Sequence, residues 1–182
     1  MKKQILLITL LAANVCAYAD ISDISNFRQY SENFASSGQP SEKQLKEIAA
    51  VGFERVVYIA YSDHKNSLDN EDRTVKDLGL EYVHIPVDWS APTKSDFYLF
   101  AGAMQREPDK KSLLHCQVNF RASAFAFLYR VLYQDVSVAD AKADMNSVWT
   151  PNETWTDLII EVLEENDVSS GCAGCDWTPA EH

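Results

Sequence analysis

Short runs of β-branched and aromatic residues recur along the chain, separated by stretches in which apolar residues return every three to four positions. Val56-Val57-Tyr58-Ile59-Ala60 is continuously apolar, as a strand covered on both faces requires. Tyr82–Val87 and Ser112-Leu113-Leu114-His115 predict two further strands, and Phe34–Ser37 a short one closed by Gly38-Gln39-Pro40. Helical spacing fills the intervals. Ser41 opens one helix: Gln44, three residues on, completes a reciprocal cap, Leu45, Ile48 and Ala49 give the apolar face, and Gly52 ends it. A second helix carries Val75 and Leu78 and stops at Gly79. A third starts at Thr93 or Ser95 and carries Phe97, Phe100, Ala101 and Met104. Ala122–Tyr133 reads as an apolar helix and residues 137–147 as another. Thr150-Pro151 reads as the start of the last helix, with proline at its first position and Trp155, Leu158, Ile159 and Val162 inward. Residues 20–33 read as a polar arm with one helical turn.

Strands alternating with helices predict an α/β domain over residues 20–167, a mostly parallel sheet flanked by helices, followed by a tail at 168–182. Sites in such sheets form beyond the carboxyl ends of the strands.

The first nineteen residues stand apart from this pattern. Lys2 and Lys3 precede an apolar run, Ile5–Ala13, and Ala17-Tyr18-Ala19 supplies small residues for cleavage. Met1–Ala19 therefore reads as a cleavable signal peptide. This predicts a periplasmic or secreted protein beginning at Asp20, with no integral membrane span once the signal is removed. The charge balance is acidic, 27 acidic against 16 basic residues for a net −11, which becomes −13 once Lys2 and Lys3 are gone. Such a surface argues against nucleic acid as a partner and makes any anion site a local positive pocket. Cleavage also removes Cys16, leaving Cys116, Cys172 and Cys175. Cys172 and Cys175, three apart in a glycine-containing tail, are expected to form a disulfide and leave Cys116 as a free thiol. Only His182 lies near that pair, too few ligands for structural zinc, so no metal is expected.

Cys116 falls at the carboxyl end of one predicted strand, just before a predicted helix. A helix N-terminus favours an anionic thiolate and binds oxyanions through its free N–H groups. Arg121 adds a planar fork able to hold two phosphate oxygens. Cys116-Gln117-Val118-Asn119-Phe120-Arg121 thus carries a nucleophile, an amide cradle and a guanidinium in one stretch. His115 is a candidate for orienting the loop, and Asn119 for fixing its backbone.

His115-Cys116, Arg121-Ala122 and Ser123 together resemble the signature of cysteine-dependent tyrosine and dual-specificity phosphatases. The wider chain is similar to small bacterial dual-specificity-phosphatase-like proteins of the beta-lactamase-hydrolase-like group. The likeness is carried by Ser37-Gly38-Gln39-Pro40-Ser41, Gly52-Phe53, Val83-His84-Ile85-Pro86-Val87, Ala91-Pro92-Thr93 and Pro151-Asn152-Glu153-Thr154-Trp155. This resemblance implies a phosphatase fold, a phosphocysteine at Cys116, and phosphate held by Arg121 and by the loop residues Gln117, Val118, Asn119 and Phe120 with Ser123. The substrate would be a phosphorylated protein or small molecule, and no cofactor is implied. The loop departs from the usual signature: four residues separate Cys116 from Arg121 instead of five, and none is glycine. Rhodanese-type sulfurtransferases are similar in loop length, so persulfide transfer on Cys116 is a second reading, and an anion-binding protein without turnover a third. A phosphatase also needs a general acid. Asp88, in Pro86-Val87-Asp88-Trp89-Ser90-Ala91-Pro92, is similar in style to the family's acid loop; Asp96, in the first turn of the next helix, is the other candidate.

Overall fold

The computed structural model describes residues 21–179. The segment read as a signal peptide, with its cleavage point at Ala19–Asp20, lies outside the described residues. Five strands and six helices follow a short 3-10 turn at Ile21–Asp23. In chain order they are β1 (Arg28–Ser31), β2 (Phe34–Ser37), α1 (Glu42–Ala50), β3 (Arg55–Tyr58), α2 (Glu71–Asp77), β4 (Glu81–His84), α3 (Lys94–Gln105), β5 (Ser112–His115), α4 (Phe120–Tyr133), α5 (Val138–Asn146) and α6 (Glu153–Glu165).

The sheet order is β1-β2-β5-β3-β4. β2, β5, β3 and β4 pair in parallel, and only β1 is antiparallel, hairpinned onto β2. β5 is therefore the middle strand, and all four of its residues are buried. One apolar layer, with Leu45, Ile48, Val56, Val75 and Leu113, lies under α1 and α2. The larger one, with Phe97, Phe100, Phe125, Tyr129, Trp155 and Ile159, joins the sheet to α3, α4 and α6. α4 is the central helix, buried at nine consecutive positions from Ala122 to Arg130. That all-round burial explains why its sequence is apolar without a helical stripe.

The Ser41 cap forms as a full capping box with Gln44, and Gly52 takes the left-handed φ of +86° that ends α1. Thr93, not Ser95, caps α3. Strands β3 and β4 end at Tyr58 and His84, short of the expected Ala60 and Val87, and two further readings are corrected. The expected polar arm contains strand β1, held not by apolar alternation but by Tyr30. This side chain packs on Phe34, shares a 2.8 Å hydrogen bond with Ser36 and lies under the Arg130 guanidinium. The last helix begins after Pro151: Asn152 is its cap, with the side-chain carbonyl accepting from Trp155 N at 3.2 Å, and Glu153 is its first residue.

The segment after Val168 folds back on the domain. Trp177 packs edge-on to Phe127 with Lys142 Nζ over its ring, and Cys172 is disulfide-bonded to Cys175 with their Cα atoms 5.1 Å apart. Among the described residues no helix is long and apolar enough to cross a membrane.

Candidate active site

Cys116 follows β5 directly. Its backbone N–H donates to Ser37 O, tying it to the end of β2, and its side chain is fully buried. Four residues later α4 begins. The N–H groups of a helix's first turn have no acceptor within the helix; those at the start of α4 therefore open toward the loop that Cys116 begins.

The loop has no glycine, and Asn119 does what a glycine would. It sits in the left-handed region at φ +71°, which asparagine tolerates better than most residues. Its side-chain Nδ2 donates to Asn26 O at 2.6 Å. Asn26, also left-handed at φ +51°, returns a bond from its own Nδ2 to Val118 O at 2.9 Å. The other wall is Gly38. Gln39 N donates to Gln117 O at 3.0 Å, and a Cβ on Gly38 would stand 2.9 Å from that same oxygen, so the approach requires glycine. Two segments distant in sequence thus clamp the short loop from either side.

Arg121, the second residue of α4, donates from Nη1 to Gln117 Oε1 at 2.6 Å, and its guanidinium lies 5.2 Å from the centre of the Trp89 ring. Its Nε is buried without an acceptor. Phe120 stacks flat on Trp149 at 4.8 Å, and Val118 is exposed at the rim. Ser123 is brought to the other side of the helix start: its hydroxyl donates to Phe120 O and accepts from Trp149 Nε1.

The two acid candidates separate. Asp88 is exposed on the loop that carries Trp89 under Arg121, with Oδ1 accepting from Ser90 N at 2.8 Å. Asp96 closes the capping box of α3, its Oδ2 accepting from Thr93 N at 3.0 Å and from Thr93 Oγ1 at 2.7 Å. It borders a groove with Val83, Pro86 and Leu99, away from the cysteine loop.

Behind the loop lies a polar layer of which the sequence signalled only His115. His115 is fully buried, its ring stacked on Tyr58 at 4.7 Å, and Tyr58 stacks in turn on His84 at 5.1 Å. His115 Nε2 is 3.0 Å from Glu71 Oε1, and Gln39 Nε2 donates to the same oxygen at 3.1 Å. The Tyr58 hydroxyl bonds Ser67 and Tyr61 O and accepts from Gln117 Nε2 at 3.4 Å. Burial pushes the Tyr58 phenol above its ordinary value, and the nearby Glu71 charge adds to this against the Ser67 bond. It stays a neutral hydrogen-bonding group.

Residues 13–158 match the family described as "DSP-PTPase phosphatase fused to NAD+ Kinase". The chain belongs to this phosphatase family. A protein from Shewanella putrefaciens CN-32 described as "Putative phosphatase (DUF442)" is 32% identical in one crystal structure, covering 80% of this chain and 95% of that one with a TM-score of 0.73. Two more distant structures share the dual-specificity phosphatase fold. The phosphatase Tk-PTP in its active form is 22% identical over 77% of this chain and 95% of its own, TM-score 0.61. A cysteine-to-serine variant of TpbA from P. aeruginosa, in complex with pTyr, is 18% identical over 70% of this chain and 75% of its own, TM-score 0.57. No curated protein matches the chain. Membership in the family makes this a phosphatase-type protein.

Proposed function

We propose that this protein hydrolyses phosphate monoesters through a phosphocysteine on Cys116. The observation that carries the reading is the orphan donor of Arg121. A buried guanidinium N–H without an acceptor is costly; here it sits at the start of α4, next to the loop that begins at Cys116. A phosphate oxygen would satisfy it, while the free first-turn N–H groups of α4 would take others.

In the first step the Cys116 thiolate attacks phosphorus, the P–S bond forms and the ester P–O bond breaks. Asp88 gives its proton to the departing oxygen. In the second, water attacks phosphorus and the P–S bond breaks, with Asp88 taking a proton from the water and the thiolate restored. Asp88 is preferred to Asp96 because its loop reaches Arg121 through Trp89, whereas Asp96 is engaged in the cap of α3. The substrates are phosphotyrosine or phosphothreonine on proteins, or small phosphorylated molecules. The family assignment favours phosphate over persulfide chemistry at the same cysteine.

The test is intact-protein mass spectrometry after exposure to an aryl phosphate and, separately, to thiosulfate. A phosphate adduct lost on Cys116→Ser supports the reading, and a sulfur adduct alone overturns it. We further propose, from the reading of Met1–Ala19 as a signal peptide, that the protein works outside the cytoplasm. N-terminal sequencing of the protein from its native host should find Asp20 first, and Met1 would contradict export.

A further inference from the structure

Glu71 is the first residue of α2, yet it is 3% exposed, and among the described residues no lysine or arginine contact balances it. A carboxylate withdrawn from water is costly unless it is paired or hydrogen-bonded. An acid that only favoured the helix start would do so from the surface, as Asp72 in the next position can. Both neighbours of Glu71 Oε1 belong to the walls of the cysteine loop. His115, whose Nε2 lies 3.0 Å away in an ion-pair contact without hydrogen-bond geometry, is covalently next to Cys116. Gln39, at 3.1 Å, holds Glu71 with its side chain and Gln117 O with its backbone N–H. The His115 ring presses on Tyr58, whose hydroxyl meets the Gln117 side chain, and Gln117 Oε1 takes Arg121 Nη1. Two chains of contact therefore leave one buried oxygen and rejoin at Gln117, one of them passing beside the nucleophile.

We propose that Glu71 is a positioning residue for the Cys116 loop, acting through His115 and Gln39. It holds the imidazole in one orientation and the 38–40 turn at one distance, so that Cys116 and Arg121 face the same phosphorus atom. The inference rests on the reading of Cys116 and Arg121 as the reacting pair. Misplacement of a reacting group by about 1 Å costs on the order of 10² in rate, so the effect should fall on turnover and not on binding.

The test compares Glu71→Gln, Glu71→Leu, His115→Asn and the double variant Glu71→Leu/His115→Asn in the full chain. Readouts are kcat and KM on p-nitrophenyl phosphate, the rate of Cys116 alkylation by iodoacetamide, and the folded fraction by urea titration. Glu71→Leu should lower kcat about 10²-fold with KM within about two-fold, and should change the alkylation rate while the protein stays folded. Glu71→Gln keeps an oxygen acceptor and should recover most of the loss. If Glu71 acts through His115, adding Glu71→Leu to His115→Asn should cost far less than it costs alone. Unchanged kcat and alkylation in Glu71→Leu, strictly multiplicative losses in the double variant, or a Glu71→Gln variant as impaired as Glu71→Leu would each overturn the proposal. Cys116→Ser, run in parallel, separates the two ideas. Full activity there would sink the nucleophile assignment, and the alkylation data would still decide whether Glu71 shapes the loop.

Discussion

At the residue scale, the chemistry rests on geometry that only particular side chains supply. Arg121 binds Gln117 through one nitrogen, stacks on Trp89 and leaves Nε free for a ligand. Lysine keeps the charge and loses the plane and the fork. Arg121→Lys should therefore cut kcat/KM for an aryl phosphate by on the order of 10²–10³, and steady-state kinetics showing wild-type turnover would remove Arg121 from the transferred group. The two aspartates make a paired prediction. Asp88→Asn should lower kcat by on the order of 10² or more, least for substrates whose leaving group needs no proton. Asp96→Ala should leave kcat nearly unchanged and lower stability by about 1 kcal/mol through the lost cap. The opposite pattern, an inert Asp88 and an essential Asp96, would reverse the assignment. The placement of Cys116 and Arg121 about one helix start was legible in the sequence because strand, cysteine, helix start and arginine are contiguous. Glu71, Gln39 and Asn26 were not, because their meaning arises only when the fold brings together residues as far as 93 positions apart.

At the scale of the elements, local rules worked where local forces decide. β5 was readable to the residue, as was the Ser41 cap, because each is specified within a few positions; the α3 start was narrowed only to Thr93 or Ser95. β1 was missed because its place depends on Tyr30 meeting Phe34, Ser36 and Arg130. The last helix start was misplaced because Asn152, as the better cap, overrides the proline preference. The foot of the sheet holds a further long-range device. Arg55 at the start of β3 is fully buried, with Nε donating to Glu81 of β4 at 2.9 Å, and Lys110 reaching the same carboxylate at 3.1 Å. Burial pushes the Glu81 carboxyl up, but the bonds from Arg55 and Lys110 outweigh it and hold it below the usual carboxylate range. A carboxyl lowered on folding stabilises the fold above its unfolded value and loses that contribution as pH falls through the lowered one. Glu81→Ala, which leaves Arg55 with the longer ion-pair contact to Glu107 at 3.6 Å, should cost about 2 kcal/mol at neutral pH, and the gap to wild type should narrow in acid. Urea titrations at both pH values would show it; a gap that widens in acid would mean the pair is not held as described.

On the scale of the whole molecule, an acidic protein is asked to bind an anion. With a net charge of −11, its surface repels a phosphate ester at distance, and the donors that would receive it lie at the end of the central strand. Added salt screens the surface more than the buried cradle, since the Debye length shrinks to about 8 Å at physiological ionic strength. kcat/KM for a dianionic substrate should accordingly rise as salt increases from very low levels to about 0.15 M, and a steep fall would point to a positive approach path that outweighs the net charge. The tail disulfide and buried Cys116 fit the same picture of one working thiol shielded by the fold. The central claim, that phosphate passes through Cys116, is tested most directly by acid-quenching the protein during turnover of an aryl phosphate and mapping the phosphorylated peptide. The account predicts phosphate on the sulfur of Cys116, present in wild type and absent in Cys116→Ser. Turnover with no phosphate on that peptide, and undiminished in Cys116→Ser, would contradict it.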